Sequence, residues 1–365
     1  MEGIAHLANP GRLGEILLPG TDLLLERRPQ TRVGWKVVGA TWAQRWPGDR
    51  PRTVYLDAAR VNRVAERLIE ERLVPELRGY RIERREVADG RSRFDFLLRS
   101  GRGRYVLEVK SVTLAEQGLA FFPDARSERA RRHLMTLARR SAQPGWRAGV
   151  LFLVQGAADR FLPDFHNDLE FARAVCAARG RVEFLPYRLD PVPGADGGLA
   201  FAGRPTRLAV PWGVLDAGVR DGGLYLLVLQ LARDVRVEVG ALGLQTFPRG
   251  FYVYTGSARR GLSQRMARHL RRRKRFHWHV DFLRDCSARV QAFPIRASSG
   301  ECELAAAVAG IGGELVAGFG ASDCRCPGHL VRFPEAPVHT AAFQELLTRM
   351  RHLPTAATPV HRLGR

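Results

Sequence analysis

The chain has 365 residues, of which 45% are hydrophobic and 26% charged, so it is long enough for two or three globular domains. Its 58 lysines and arginines outnumber 37 acidic residues and give a net charge of +21, which favours nucleic acid, with an anionic membrane surface as the alternative. Five cysteines, an odd number, exclude a simple disulfide framework, and no apolar run approaches the roughly 18–20 residues of a membrane-spanning helix. Since the sequence begins without a secretory signal pattern, we expect a cytoplasmic protein with reduced thiols.

The first 73 residues predict a small β domain followed by a helix. Residues 1–55 consist of short β-like stretches separated by turn sequences, which favours a small β-barrel or part of one. Residues 58–73 carry apolar side chains at helical spacing, with Glu66 at the flank of the apolar stripe.

The segment 91–112 predicts a β-hairpin that carries two carboxylates and a lysine. Two apolar-rich runs flank a glycine-containing turn, which is typical of paired antiparallel strands. If the turn centres between residues 101 and 102, Asp95 lies directly opposite Glu108. Lys110 then lies on the same face as Glu108, because side chains alternate along a strand. Lys110 is also one of only three lysines in a chain that otherwise uses arginine.

This combination of charges favours a divalent cation. Like charges that face each other across two strands destabilise a sheet, so Asp95 and Glu108 need a compensating charge. Mg²⁺ and Mn²⁺ bind carboxylate oxygens together with water and phosphate oxygens, and they activate water for phosphodiester hydrolysis. Lys110 would orient the water or stabilise the transition state. The alternative is a half-buried hairpin whose charges face solvent.

Residues 126–188 predict the rest of an α/β domain. Its elements are a basic helix (126–140, with Ala130, Leu134 and Leu137 inward), a buried-type strand (148–154), a second helix (167–179) and a last strand (182–188). A proline- and glycine-rich sequence follows and predicts a linker at 191–215.

A second module is predicted to begin near residue 216. Its elements are paired strands (225–231 and 236–240), a third strand (251–254), a strongly basic helix (262–274) and a short apolar helix (303–309). Residues 334–365 predict a tail with one helical piece at 341–351.

The run 259–275 has the densest positive charge in the chain. It contains no acidic residue, whereas ordinary solvated helix faces mix the two signs. We therefore expect contact with a phosphate backbone, with steep salt dependence and little sequence preference. RNA is an alternative to DNA. The expected contacts in this run are Arg268, His269, Arg271, Arg272, Arg273 and Lys274.

Residues 5–190 resemble the sugar fermentation stimulation protein family. The matching stretches are 6–13, 17–20, 62–66, 92–98, 107–114, 122–125, 127–129 and 132–134. The resemblance implies DNA binding, an N-terminal OB-like barrel and a PD-(D/E)XK nuclease-like domain. It implies that Asp95, Glu108 and Lys110 form the core motif, with Glu66 as a further metal ligand. The DNA contacts expected in this half are Arg12, Arg93, Arg129, Arg132 and His133.

Residues 222–333 resemble a GIY-YIG-like domain, a nuclease fold also found fused to DNA-repair glycosylases. The matching stretches are 223–225 and 252–257 for the two signatures, 265–270 for the arginine helix, and 277–283, 301–305 and 322–330. The resemblance implies that Tyr225 is a general base or positions water, supported by Tyr254. It also implies that Arg265 holds the scissile phosphate and that Glu301 binds a metal ion, with Glu303 as the alternative.

Two smaller clusters carry alternatives. Cys302, Cys324, Cys326 and His329 have the ligand types of a Cys₃His zinc site. However, the Cys-x-Cys spacing is unusual for structural zinc and Cys302 is distant in sequence, so buried thiols beside a polar turn are the preferred interpretation.

The second cluster consists of His277 and His279, which flank Trp278 next to Asp281. These residues predict either a phosphate or metal contact or a polar patch that orders the arginine helix.

The sequence therefore predicts an α/β and α+β multidomain DNA-binding protein. Its segments are a partial OB-like β-barrel (1–55, partial because the sequence starts almost on the His6 motif), a PD-(D/E)XK restriction-endonuclease-like domain (56–190), a linker (191–215), a GIY-YIG-like domain (216–333) and a tail (334–365). The expected activity is Mg²⁺- or Mn²⁺-dependent cleavage of double- or single-stranded DNA, as an endonuclease or an exonuclease. The alternative is a non-catalytic DNA-binding regulator of sugar metabolism genes. Neither zinc nor a membrane partner is expected, and the formation of a homo-oligomer is left open.

Overall fold

The computed structural model describes residues 3–9, 11, 13–28, 33–42, 52–57, 60–101, 103–193 and 199–352. The chain divides into two compact units, Met1–Asp216 and Ala217–Arg365. Within the described ranges, none of the helices is long and apolar enough to cross a bilayer.

The first unit and its boundary contain thirteen strands, four α-helices and one short 3₁₀-helix (Pro75–Leu77) within the described residues. They are β1 (His6–Leu7), β2 (Asp22–Arg27), β3 (Trp35–Trp42), β4 (Arg52–Tyr55), α1 (Val61–Glu70), β5 (Arg81–Asp89), β6 (Ser92–Ser100), β7 (Gly103–Val112), β8 (Leu114–Glu116), β9 (Gly118–Phe122), α2 (Glu128–Arg140), β10 (Trp146–Gln155), β11 (Ala158–Pro163), α3 (Leu169–Ala178), β12 (Glu183–Pro193), β13 (Leu199–Arg207) and α4 (Trp212–Gly218).

The N-terminal sheet is built around β3. This strand pairs antiparallel with β2 and β4 and parallel with β1. The apolar core beside it consists of Leu13, Ile16, Val37, Ala40, Val54 and Leu56. The described part of 1–55 is therefore rich in β-strands, as the sequence predicted. A separate small sheet has the order β11-β9-β8.

The larger sheet has the order β13-β12-β10-β7-β6-β5. Its centre is β10, which runs parallel to both β7 and β12 and is buried from Ala148 to Gln155. Burial on both faces is typical of a central parallel strand covered by helices. The buried strand that the apolar run 148–154 predicted is confirmed.

Helices cover both faces of the larger sheet. Leu68 of α1 belongs to the same apolar cluster as Leu107 of β7, whereas the next residue, Glu108, contacts His133 of α2. Because neighbouring side chains on a strand point to opposite faces, α1 and α2 lie on opposite sides of the sheet. Ser127 caps the first turn of α2 through its hydroxyl group, which fixes where this helix begins.

The predicted linker at 191–215 is wrong. Residues 199–207 form β13, which pairs antiparallel with β12 and places Phe201 opposite Pro191. Arg207 of β13 donates hydrogen bonds to the carbonyl groups of Phe184 and Pro186 and so holds this edge strand in place. The proline- and glycine-rich sequence, whose residues 194–198 lie outside the described ranges, thus separates two strands of one sheet instead of two domains.

The second unit contains seven strands, four α-helices and two short 3₁₀-helices (Gly240–Leu242 and Pro337–His339) within the described residues. They are β14 (Gly223–Leu231), β15 (Val235–Glu238), β16 (Leu244–Phe247), β17 (Gly250–Ala258), α5 (Leu262–Leu270), α6 (His279–Cys286), β18 (Arg289–Arg296), α7 (Glu301–Ala309), β19 (Glu314–Leu315), β20 (Leu330–Phe333) and α8 (Ala341–His352).

The second unit has three layers around an antiparallel sheet of order β18-β14-β17-β20-β19. Leu227 of β14 packs with residues of α5 and α6, and its neighbour Leu226 packs with residues of α7 and α8. The sheet is therefore covered by helices on both faces. The predicted pairing of 225–231 with 236–240 is wrong, because β14 pairs with β17 and β18, while β15 forms its own hairpin with β16.

The ends of two predicted segments also differ. The basic helix predicted at 262–274 ends at Leu270, where Arg271 is extended and Arg284 binds the Leu270 carbonyl group. The helical piece predicted at 341–351 is confirmed as α8, but residues 334–352 do not form a tail, because α8 buries Phe343 in the core of the second unit. Residues 353–365 lie outside the described ranges.

Candidate functional site

The first candidate site lies where β6 and β7 separate. The two strands pair from Ser100 opposite Gly103 to Phe96 opposite Leu107, so the same register sets Asp95 opposite Glu108. The predicted hairpin register is confirmed. At this point the regular ladder ends, and Asp95 Oδ2 accepts the backbone N–H of Val109 at 2.7 Å.

Asp95 is a largely buried carboxylate that accepts one hydrogen bond at each of its two oxygens. Its Oδ1 accepts a hydrogen bond of 2.7 Å from Nδ2 of Asn62 on α1. Burial and the charge of Glu108 raise the pKa of Asp95, although the N–H of Val109 and the amide of Asn62 oppose this effect. The ionised form of Asp95 is therefore disfavoured in this position, although the charge of Lys110 compensates part of the effect.

Glu108 is buried more deeply, at 3% exposure. Its Oε1 contacts the ammonium group of Lys110 and lies 2.8 Å from Nδ1 of His133. Burial alone would raise the pKa of Glu108, but the bond from His133 and the charge of Lys110 outweigh burial and lower it. Its Oε2 is buried and has no hydrogen-bond partner among the residues that the structure describes.

A cleft of about 400 Å³ opens beside Asp95. It is lined by residues of α1, β5 and β6, namely Asn62, Arg63, Glu66, Arg85, Glu86, Asp95 and Phe96. Glu66, the predicted helix-borne ligand, lines this cleft and forms an ion pair with Arg85. The cleft gives a ligand access to Asp95 along a wall with both acidic and basic groups.

The carboxylate oxygens of this site fit a hard divalent cation. Mg²⁺ and similar ions select carboxylate oxygens, and Glu108 Oε2 is a buried oxygen that lacks a partner within the described chain. Asp95, across the strand pair, supplies the second carboxylate, and Glu66 is a third one that would first have to leave Arg85. Such an ion would also relieve the electrostatic repulsion between Asp95 and Glu108.

The predicted DNA contacts of the first unit divide into two groups. Arg93, Arg129 and Arg132 are exposed and available to a polyanion. His133 is only 2% exposed, so its prediction as a DNA contact is wrong. Arg12 lies outside the described residues.

The second candidate site lies between β14 and α5. Tyr225 O–H lies 3.0 Å from Nε2 of His269, and Nδ1 of His269 lies 3.5 Å from Asp281. Burial raises the pKa of Tyr225 above its ordinary value, and burial lowers the pKa of His269. A neutral His269 can therefore accept a hydrogen bond from the Tyr225 hydroxyl group at Nε2, while its Nδ1–H faces Asp281.

Three more predicted residues lie in this second site. The charges of Arg265 and Glu301 both act on Tyr225, and Tyr254 lies beside it with a ring-centroid distance of 6.4 Å. Of the two predicted ligands on α7, Glu301 is half-buried and acts on both tyrosines, whereas Glu303 is exposed. The structure therefore brings together Tyr225, Tyr254, Arg265 and Glu301.

Asp281 organises the basic segment. It is fully buried, accepts the backbone N–H groups of His277 and Trp278, and pairs with Arg268 and Lys274. Burial alone would raise the pKa of Asp281, but the bonds from His269, from Lys274 and from the two backbone N–H groups hold it far below its ordinary value. The interpretation as a polar patch that orders the arginine helix fits these contacts.

Two predicted DNA contacts in this segment are therefore wrong. His269 is 1% exposed and bonds to Tyr225, and the Lys274 side chain is 6% exposed because it reaches inward to Asp281. Arg268 is partly exposed but also engages Asp281. The side chains that remain exposed are those of 271–273.

Of the two histidines that flank Trp278, only His279 contacts the interior of the second unit with its side chain. His279 Nδ1 accepts the backbone N–H of Gly320 at 3.1 Å, whereas His277 is exposed. The prediction that these cysteines are buried thiols is wrong, because Cys302 is exposed and Cys324 and Cys326 are half-buried. All five cysteines of the chain are described, and all are free thiols.

Sequence reasoning missed Asn62 and Arg85 as parts of the first site. Asn62 lies four residues before Glu66 on α1, and side chains at that spacing share a helix face. That spacing was a readable signal once Glu66 was under consideration. Arg85 could not be found in this way, since its contact with Glu66 depends on the packing of α1 against β5.

The first unit is thus an α/β domain with a buried glutamate, a half-buried aspartate and a lysine at the end of a strand pair. The chain belongs to the sugar fermentation stimulation protein family. The sugar fermentation stimulation protein RE domain matches residues 59–194, and the domain of unknown function DUF123 matches residues 224–352.

Two individual relatives agree with the sugar fermentation stimulation assignment over about half of the chain. The sugar fermentation stimulation protein homolog of Methanothermobacter thermautotrophicus is 40% identical over 51% of this chain and 76% of its own length. The homolog of Chloroflexus aurantiacus is 39% identical over 50% of this chain and 70% of its own. The structure of Pyrococcus furiosus SfsA in complex with Ca²⁺ is 28% identical, with a TM-score of 0.47, over 57% of this chain and 85% of that one.

Proposed function

We propose that the chain is a DNA-binding protein with divalent-metal-dependent nuclease activity. The observation that carries this proposal is the buried Oε2 of Glu108, which has no hydrogen-bond partner within the described residues. Glu108 follows the last paired residues of β6 and β7, and their register aligns it with Asp95. Two such carboxylates at the end of a strand pair, with Lys110 two residues further on, match the PD-(D/E)XK pattern. By the same proposal, the N-terminal sheet is OB-like and the second unit is GIY-YIG-like.

In the first site, Asp95 and Glu108 would hold Mg²⁺ or Mn²⁺. When bound, such an ion lowers the pKa of water and neutralises charge on a phosphate group. Glu108 is kept ionised by His133, whose Nδ1–H donates to Oε1, and by Lys110. The Lys110 ammonium is one-fifth exposed, so it has further N–H donors for a phosphate oxygen or a water molecule.

In the second site, the chain's own groups hold a proton at Tyr225. Tyr225 donates its O–H to Nε2 of a neutral His269, whose Nδ1–H faces Asp281, and the raised pKa of Tyr225 keeps the proton on its hydroxyl group. Arg265 is held over the Trp278 ring at 5.1 Å and supplies a positive charge for a phosphate group. Glu301 would hold a metal ion there.

DNA would be attracted by exposed arginines. The net charge of +21 and the exposed side chains of 271–273 favour contact with the phosphate backbone. The second candidate function is a non-catalytic DNA-binding regulator. It is favoured by the ion pair between Glu66 and Arg85, which neutralises the third carboxylate of the cleft within the protein.

Cleavage assays with the full chain, Mn²⁺ and labelled single- and double-stranded DNA distinguish the two functions. We expect cleavage that Asp95→Asn and Glu108→Gln reduce at the first site and that Tyr225→Phe and Glu301→Gln reduce at the second. Glu71→Gln, an exposed position on the same unit, is the matched control and should cut like the wild type. Salt-sensitive DNA binding without any cleavage would refute the nuclease and leave the regulator.

A further inference from the structure

Four potential metal ligands converge outside both carboxylate sites. Cys302 lies in the first turn of α7, and Cys324, Cys326 and His329 lie on the loop between β19 and β20. Their ligand atoms, three Sγ and one imidazole nitrogen, all lie within 4.8 Å of one another. Cys302 is distant in sequence from the other three ligands, which argued against a joint site, but the fold brings all four together.

The spacing fits a tetrahedral metal ion. With bonds of about 2.3 Å to sulfur and about 2.0–2.1 Å to nitrogen, a tetrahedral zinc site separates two sulfurs by roughly 3.8 Å and a sulfur from a nitrogen by roughly 3.6 Å. The distance from Cys324 Sγ to His329 Nε2 is 3.5 Å. A disulfide, by contrast, requires two of the sulfurs to lie about 2.0 Å apart.

His329 is already oriented as a ligand. It is 2% exposed, and its backbone is fixed on both sides by hydrogen bonds to Phe319 and Thr255. Its Nδ1 lies 3.0 Å from Glu301 Oε1, so that Nε2 faces the thiols. A carboxylate that binds the second nitrogen of a ligating histidine is the usual outer partner in zinc sites, since it fixes the ring and its tautomer.

Two backbone contacts fix the path of the β19–β20 loop beside this cluster. Gly318 N–H donates to the Pro327 carbonyl group at 2.8 Å, and a Cβ at Gly328 would collide with the carbonyl group of Val316. Glycine is therefore required immediately before His329. Since none of the three thiols is buried, apolar burial does not explain why they meet.

We propose that Cys302, Cys324, Cys326 and His329 bind one Zn²⁺ ion in a closed, structural site. Thiolate and imidazole ligands select zinc over Mg²⁺ or Ca²⁺. The four protein ligands fill the tetrahedral shell, so the ion would join α7 to the β19–β20 loop and leave no open position for catalysis. Through His329, it would also hold Glu301 in position at the second candidate site.

Metal analysis of the full chain tests this proposal directly. Protein purified without chelators from zinc-supplemented cells should contain about one zinc ion per chain by mass spectrometry of its metals. Cys324→Ser and Cys302→Ala should lose most of it. Cys286→Ser is the control, because Cys286 is a free cysteine outside the cluster, and it should keep the full content.

A second measurement covers the case in which a variant fails to fold. A mercurial thiol reagent added to wild-type protein should release one equivalent of zinc, detected with a chromogenic chelator, as the cluster thiols react. Zinc-free wild-type protein, iron in place of zinc, a disulfide between two of these cysteines, or full zinc content in a folded Cys324→Ser protein would each overturn the proposal.

Discussion

Replacement of Asp95 by asparagine should have opposite effects on stability with and without a divalent metal ion. The folded protein holds Asp95 in a half-buried position near Glu108, and desolvation and the charge of Glu108 both raise its pKa. Asparagine removes the charge and keeps the shape. Its carbonyl oxygen can still accept the Val109 N–H, and the amide of Asn62 can rotate to accept from the new NH₂ group.

The expected magnitudes follow from these contacts. Relief of like charges across a strand pair is worth about 0.2–1 kcal/mol, so metal-free Asp95→Asn should unfold about 0.4–4 °C above the wild type. Mn²⁺ at about 100 times its dissociation constant should add about 2.7 kcal/mol to the wild type, which corresponds to roughly 5–11 °C. The variant should gain almost nothing, so the order of the two melting temperatures should reverse.

The difference in the metal-free state should also depend on pH. A carboxyl group whose pKa is higher in the folded state costs stability above that pKa, and this cost disappears below the unfolded value of about 3.9. The advantage of Asp95→Asn should therefore shrink as the pH falls through the carboxyl range. Scanning calorimetry with and without Mn²⁺ measures both effects.

Two controls make this experiment specific. Glu71→Gln should keep the Mn²⁺ shift, because Glu71 is an exposed residue outside the cleft. Cys324→Ser should also keep it in the melting of the first unit, since Cys324 belongs to the second. An undiminished Mn²⁺ shift in Asp95→Asn would refute the assignment of Asp95 as a ligand.

Replacement of all three arginines at 271–273 by alanine should weaken DNA binding and lower the slope of log K against log salt by about 2–3, measured by fluorescence anisotropy. Lys274→Ala should instead lower the melting temperature, because its side chain pairs with a fully buried aspartate. His269 is buried and neutral in the folded protein, whereas the unfolded chain takes up a proton at this histidine below about pH 6.5. The second unit should therefore lose stability as the pH falls below that value, and denaturant melts at several pH values measure this loss. Gly149→Ala should cost about 1–3 kcal/mol, because its Cβ would collide with the Tyr105 hydroxyl group, and Tyr105→Phe should restore part of that loss in a double-mutant cycle.

Local patterns in the sequence predicted much of the first site. The glycine-containing turn set the register of β6 and β7, and that register alone aligns Asp95 with Glu108. The inward position of His133 was also readable, since it lies three residues after Ala130 on the same helix. It was missed because the surrounding arginines suggested a surface contact.

Contacts between distant segments could not be predicted in this way. Lys274 points inward because the chain turns after Leu270 and Asp281 returns from α6, and no local pattern marks that turn. The meeting of Cys302 with Cys324 depends on the packing of α7 beside the β19–β20 loop. Proline and glycine near residue 194 indicated a break, but they could not distinguish a link between domains from a link between two strands.

The proposed metal site requires Asp95 and Glu108 to bind a divalent cation together. Crystals of the full chain soaked in MnCl₂ allow a direct test, through an anomalous difference map recorded near the manganese absorption edge. We expect a peak within roughly 2.0–2.6 Å of a carboxylate oxygen of each residue. Manganese peaks elsewhere in the protein, with none within that distance of either carboxylate, would contradict it.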